Sequence, residues 1–210
     1  MTGSAKTPDR RRTALVIVDM QNDFVSSAGA MARFGFDVSD VQAIVAALGC
    51  LLDAARQAGV PVFHTRMVND ARRNAPSWAA FWGDPVVTLP GTWGAEFIPS
   101  LTALPTEIVV DKYGYGAFTG TSLETALRTL GVDTVAVAGT GPNICNGDTM
   151  HQAFALGFHV IAVSDCLACF SRLGRDHSAK MKEVGLYVIE NHYGRVMESA
   201  DILRAWTEAT

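Results

Sequence analysis

No stretch of this sequence approaches the roughly 20 consecutive apolar residues that a membrane-spanning helix needs, so no membrane partner is expected. The four cysteines, Cys50, Cys145, Cys166 and Cys169, do not make a disulfide framework in a chain of 210 residues, which points to the cytoplasm. Lysine and arginine form no stripe, and a net charge of −4 argues against a nucleic acid partner. The basic run Arg10-Arg11-Arg12 precedes only a short apolar stretch, Ala14 to Val18, too short for a signal-peptide core. The five histidines show no H-x-H or H-x-x-x-H spacing, and Cys166-x-x-Cys169 has no second pair. No metal or other cofactor is therefore expected. Gly139-Thr140-Gly141 starts like a dinucleotide-binding fingerprint, but Ile144 stands where the third glycine belongs.

What is present is an apolar chain, 49% hydrophobic, with enough material for one domain and a sizeable core. Residues 1–12 read as a flexible polar leader and 13–210 as the domain. Continuous apolar runs predict buried strands at 13–18, 60–65, 107–111, 135–138, 159–164 and 186–190. Helical spacing of Val41, Ile44, Val45, Leu48, Leu52 and Ala55 predicts a helix over 38–58, stopped by Gly59. Further helices are expected after Thr121-Ser122-Leu123-Glu124, after Cys145, over 176–184 and over 199–206. Between 66 and 106 the periodicity lapses into a tryptophan-rich insertion holding Trp78, Trp82 and Trp93. Such a length of loop either covers a site, forms a subunit contact or simply packs. Strands alternating with helices predict a three-layer α/β/α fold with a six-stranded, mainly parallel, Rossmann-like sheet.

In such folds ligands bind beyond the carboxyl ends of the strands, where the strand order reverses. Asp19 ends the first predicted strand, Lys112 follows the third, and Cys145 follows the fourth. An acid, an ammonium and a thiol are thereby placed at one sheet edge. Cys145 lies just past the turn Gly139-Thr140-Gly141-Pro142, in the first turn of a helix. There the free backbone N–H groups are expected to lower its pKa. Taken singly, each residue has a plain structural explanation: a buried cysteine, a capping aspartate, a solvated lysine.

Three segments carry a resemblance: TALVIVDMQNDF around Asp19, VVDKYGYGAF around Lys112 and VAGTGPNIC leading to Cys145. With them the chain resembles the isochorismatase-like hydrolases, in their cysteine-hydrolase (amidohydrolase) branch, over about Thr13 to Leu203. The resemblance implies a triad of Asp19, Lys112 and Cys145, with Cys145 attacking an amide-type carbonyl to form a thioester. It implies an oxyanion hole from the backbone N–H groups of Gly141 and Cys145, and a cis peptide between Thr140 and Gly141. It also implies a homo-oligomer, a dimer or tetramer. Three features depart from the family pattern. The loop usually reads as a small or β-branched pair followed by threonine or similar, where this chain has Gly141-Pro142, and Asn146 replaces the common valine. The third is that residues 65–71 lack the Asp-x-His metal site that the family's nicotinamidases carry after the second strand, which argues against a metal-dependent nicotinamidase.

The expected activity is metal-independent hydrolysis of a C–N bond in a small amide, ureido or carbamoyl compound. Gln21, Phe24, Tyr115, Phe118 and Asn146 are the expected substrate-binding residues, with His151 a further contributor. Two rival readings stand beside it. One is a vinyl-ether hydrolase of the isochorismatase type that uses Asp19 without covalent catalysis. The other is a non-catalytic binding module.

Overall fold

The computed structural model describes residues 8–83, 86–172 and 177–208. In chain order the elements are β1 (Thr13–Val18), α1 (Asn22–Val25), α2 (Ala30–Arg33), β2 (Phe36–Asp37), α3 (Ser39–Ala43), α4 (Val45–Ala58) and β3 (Val62–Met67). Then come α5 (Pro76–Trp82), β4 (Ile108–Lys112), α6 (Leu123–Thr129), β5 (Thr134–Thr140), α7 (Cys145–Ala155) and β6 (His159–Ala168). The chain closes with β7 (Ser171–Arg172), α8 (Ser178–His192), β8 (Arg195–Met197) and α9 (Ser199–Glu208).

Six strands form one sheet in the order β4-β3-β1-β5-β6-β8, with every neighbouring pair parallel. Alternation along β1 sends Leu15 and Ile17 into one core, with Leu48, Leu52, Ile202 and Trp206 of α4 and α9. Ala14, Val16 and Val18 enter the other, with Leu123, Leu127, Met150 and Ile189 of α6, α7 and α8. A strand buried on both faces has no polar side to show, which is why Ala14 to Val18 are all apolar. The three-layer α/β/α architecture is as expected.

Boundaries differ in instructive ways. The expected strand at 186–190 is part of α8, and the sixth strand is the short, half-buried β8. The run Leu186 to Glu190 is locally strand-like, yet only Ile189 of it is buried, as one face of a helix requires. The expected helix over 38–58 is divided into α3 and α4 at Ile44, and Gly59 ends it in the left-handed conformation at φ +68°. By length and composition Ser39–Ala58 is long and apolar enough to cross a membrane. Its Val41, Leu48, Leu51, Leu52 and Ala55 are instead buried against the sheet. Of the expected leader, residues 1–7 lie outside the described residues, and Arg12 ion-pairs with Asp133 at 2.7 Å.

The strand order reverses between β1 and β5, and there the two strands approach closely. Gly139 pairs with Val18, and a Cβ on Gly139 would lie 2.2 Å from the Val18 carbonyl oxygen. Only glycine fits that contact, and its φ of +117° also favours glycine. The crevice beyond this pair of strands is the natural ligand position of the fold.

Candidate active site

Asp19 leaves β1 in the left-handed region, at φ +56°. For a residue with a side chain this costs about 1–3 kcal/mol and persists only where neighbours enforce it. Here its N–H donates to the Thr65 carbonyl at 3.2 Å, and its own carbonyl accepts from Gln21 at 2.8 Å. The strained turn directs the carboxylate across the sheet edge. Oδ1 accepts from the Thr65 hydroxyl at 2.9 Å, and Oδ2 lies 2.8 Å from Lys112 Nζ.

Lys112 comes from the edge strand β4 and reaches over β3 to make this ion pair, in which both side chains are 0% exposed. Its ammonium also donates to the carbonyls of Gly114 and Tyr115, at 3.0 and 2.9 Å. A buried charge is tolerable only when paired and hydrogen-bonded in this way. Burial by itself would lower the Lys112 pKa. Asp19 and the Cys145 thiol outweigh it, and the group ends above its ordinary value.

Cys145 is the first residue of α7 and is half-buried. Burial pushes its thiol up to about 12, with Lys112 pulling it down and Asp19 pushing it further up. This corrects the expectation of a lowered pKa, because loss of solvent outweighs the cationic neighbour. The thiol keeps its proton at neutral pH, so a nucleophilic sulfur here needs a base in contact with it. The thiol feels both Asp19 and Lys112, which push its pKa in opposite directions. Thus the three strand-end residues come together as one cluster. Thr65, which the sequence reading passed over, belongs with them. It closes the strand expected over 60–65, although β3 itself runs on to Met67.

The turn before Cys145 differs from expectation. No cis peptide occurs among the described residues, so Thr140–Gly141 is trans, and the chain turns through the positive φ of Gly141, +71°. The Gly141 N–H donates to the Ala168 carbonyl at 2.8 Å, so it is not free to serve an oxyanion. The reason is register: Thr140 still pairs with Ala168, and the parallel ladder to β6 uses the next amide. Pro142 has no N–H. The Cys145 N–H has no acceptor among the described residues and is the amide left open beside the sulfur.

Several expected substrate-binding residues turn inward. Gln21 uses its whole carboxamide, donating to the carbonyls of Met67 and Ala95 at 2.9 Å each and accepting from Met67 N–H at 2.8 Å. Phe118 is buried and stacks on Phe158, with ring centres 5.8 Å apart. Asn146 is fully buried and donates to the Thr140 carbonyl. His151 stacks on Tyr193 at 4.2 Å. Gln21 thus spends its carboxamide within the fold, whereas the Asn146 Oδ1 is buried without a donor.

Tyr115 and Phe24 remain half-exposed. Phe24 packs at the edge of one core and meets Phe170 at 6.0 Å. The Tyr115 ring meets Trp78 at 4.7 Å, and its hydroxyl accepts from Trp82 Nε1 at 3.0 Å. Burial raises its phenol pKa, and the nearby sulfur and Asp148 add to the rise. The tryptophan-rich insertion thus sets aromatic rings beside the loop that wraps the Lys112 ammonium. Its far end is held by residues just after Asp19: Asn22 donates to the Trp93 carbonyl at 2.8 Å, and Asp23 accepts from Thr88 N–H at 2.7 Å. Among the described residues no three His, Cys, Asp or Glu side chains converge as a metal site.

The family model described as the isochorismatase domain matches residues 13–200. The ureidoacrylate amidohydrolase RutB of Variovorax paradoxus is 28% identical, over 94% of this chain and 82% of that protein. A cysteine hydrolase from Pseudomonas syringae pv. phaseolicola superimposes with a TM-score of 0.83 at 28% identity, covering 100% of both chains. N-carbamoylsarcosine amidase from Thermoplasma acidophilum does so with 0.71 at 25% identity, over 90% of this chain and 96% of that one. A match along nearly the whole domain, on the same sheet that gathers Asp19, Lys112 and Cys145, makes this chain a hydrolase belonging to the isochorismatase family.

Proposed function

We propose that the protein hydrolyses a C–N bond of a small ureido or amide compound through a thioester on Cys145. The observation that carries the reading is the fully buried Asp19–Lys112 pair, 2.8 Å apart, at the strand ends from which Cys145 opens α7. A carboxylate held there accepts the thiol proton as sulfur attacks the carbonyl carbon. Lys112, with its protons spent on Asp19, Gly114 and Tyr115, keeps the carboxylate ionised and balances the developing charge. The Cys145 N–H is the donor available to the tetrahedral oxyanion.

Collapse of that intermediate breaks the C–N bond, and the proton held on Asp19 passes to the leaving nitrogen. Water then enters, gives a proton to Asp19, attacks the thioester and releases the acid, and the proton returns to sulfur. The relatives' names, a ureidoacrylate amidohydrolase and an N-carbamoylsarcosine amidase, make a ureido carbonyl the first substrate class to try. The aromatic rings of Tyr115, Trp78 and Trp82 would flank the remainder of the substrate. The reading includes the homo-oligomer implied by the resemblance, which light scattering on the purified protein checks.

The test is a panel of ureidoacrylate, N-carbamoyl amino acids and simple amides, read by ammonia or amine release and by intact mass after acid quench. An acyl adduct on Cys145, and loss of turnover in Cys145→Ala, is the expected result. Turnover that survives Cys145→Ala overturns it. Conversion of isochorismate by Cys145→Ser but not by Asp19→Asn would favour ether hydrolysis instead.

A further inference from the structure

Asn146 follows Cys145 directly and is fully buried in the first turn of α7. It ties the turn before the sulfur at two points. Its backbone N–H donates to the Gly141 carbonyl at 2.9 Å, and its side-chain Nδ2 donates to the Thr140 carbonyl. The Gly141 carbonyl also accepts from the Ile144 N–H at 2.9 Å, so the distinctive contribution of Asn146 is its side-chain hold on Thr140. The same carboxamide leaves its buried Oδ1 without a donor, which is unfavourable by itself. An aliphatic side chain would avoid that cost and forfeit only the bond to Thr140.

The surroundings explain why that bond has consequences. Gly141 is the most permissive residue type and sits at φ +71°. Its N–H is committed to Ala168, and Pro142 has none to offer. The Pro142 carbonyl is wedged where a Cβ on Gly147 or Gly185 would come within 2.8 or 3.1 Å. With one open amide beside the sulfur, the direction of the Cys145 N–H decides whether an oxyanion is met. That direction depends on how β5 hands over to α7.

We infer that Asn146 is a positioning residue, whose carboxamide fixes the Thr140 carbonyl and thereby aims the Cys145 sulfur and N–H at one carbonyl group. It supplies the stiffness that Gly141 lacks. The inference rests on the reading of Cys145 as an acyl-accepting nucleophile.

Two probes of the same sulfur separate aiming from mere folding. p-Nitrophenyl acetate acylates through a tetrahedral oxyanion, whereas iodoacetamide alkylates by displacement without one. Both are read at the Cys145 peptide by mass spectrometry, in wild type, Asn146→Val and Asn146→Asp. Acylation is expected to fall roughly 10- to 100-fold in both variants at pH 8, with alkylation within about threefold of wild type. Asn146→Asp should regain acylation relative to wild type as pH falls towards 5, because a protonated carboxyl donates again to Thr140. Should Asn146→Val fail to fold, Asn146→Asp, of equal size, carries the comparison. Equal losses in both reactions, or no loss in either, overturn the inference. A wild-type sulfur that alkylates but takes no acyl group overturns instead the nucleophile reading on which it rests.

Discussion

Replacing Lys112 with methionine keeps the apolar stem of the side chain and removes only the charge. At 2.8 Å and an effective dielectric of about 20, the Asp19–Lys112 attraction is about 6 kcal/mol before desolvation is counted. Burial of the two charges offsets part of this. Yet deleting one partner strands the other, a loss of about 3–5 kcal/mol for fully buried pairs. Asp19 would keep the Thr65 hydroxyl and the neighbouring thiol, neither of them a cation. Over 210 residues, at about 2.1 cal/mol/K of unfolding entropy each, that loss lowers the melting temperature by about 7–11 °C.

The Gly114 and Tyr115 carbonyls would lose their donor too, so the loop beside Trp78 loosens with the pair. A double-mutant cycle isolates the electrostatic part. Asp19→Asn and Lys112→Met combined should be more stable than the sum of the single losses, by roughly 2–3 kcal/mol. The assay is calorimetric or circular-dichroism melting of the four proteins at pH 7.5. A fall below about 2 °C for Lys112→Met, or a coupling near zero, would refute the argument that this pair is a dry charge pair.

Three further outcomes follow from other groups. With its thiol near 12, Cys145 should alkylate slowly at pH 7 and ever faster up to pH 10, and a plateau below pH 8 would contradict the burial argument. His64 is buried against Glu107 at 3.0 Å, with its pKa lowered chiefly by burial. Because the unfolded chain takes the proton first, stability should fall as pH drops from about 6.5 through the depressed folded value, and His64→Leu should flatten that slope in melts. In Gly139→Ala a Cβ at 2.2 Å from the Val18 carbonyl forces β1 and β5 apart, so a loss above ~3 kcal/mol is expected in denaturant unfolding.

Much of this molecule could be read from its sequence because the relevant signals are local. Val62 to Lys112 spans two strands legible as apolar runs, and Asp19, Lys112 and Cys145 were legible as strand-end residues before any contact was known. The strand β8 was not, since three half-buried residues carry no periodicity. Leu186–Glu190 is helical yet strand-like in sequence, because a short apolar run has no period of its own.

Sequence alone determined the layered fold and the meeting of acid, ammonium and thiol at one sheet edge, because residue spacing encodes elements and parallel topology sends their ends to one crevice. Only the tertiary structure decided what the neighbouring polar groups do. Gln21 and Asn146 look like ligands for a substrate in sequence, yet the amide N–H groups of both go to backbone carbonyls brought to them from elsewhere in the chain or across the turn. The Gly141 amide is taken by a strand 27 residues further on. A hydrogen-bonding group has no preferred partner until register and burial supply one, and those are properties of the packed molecule.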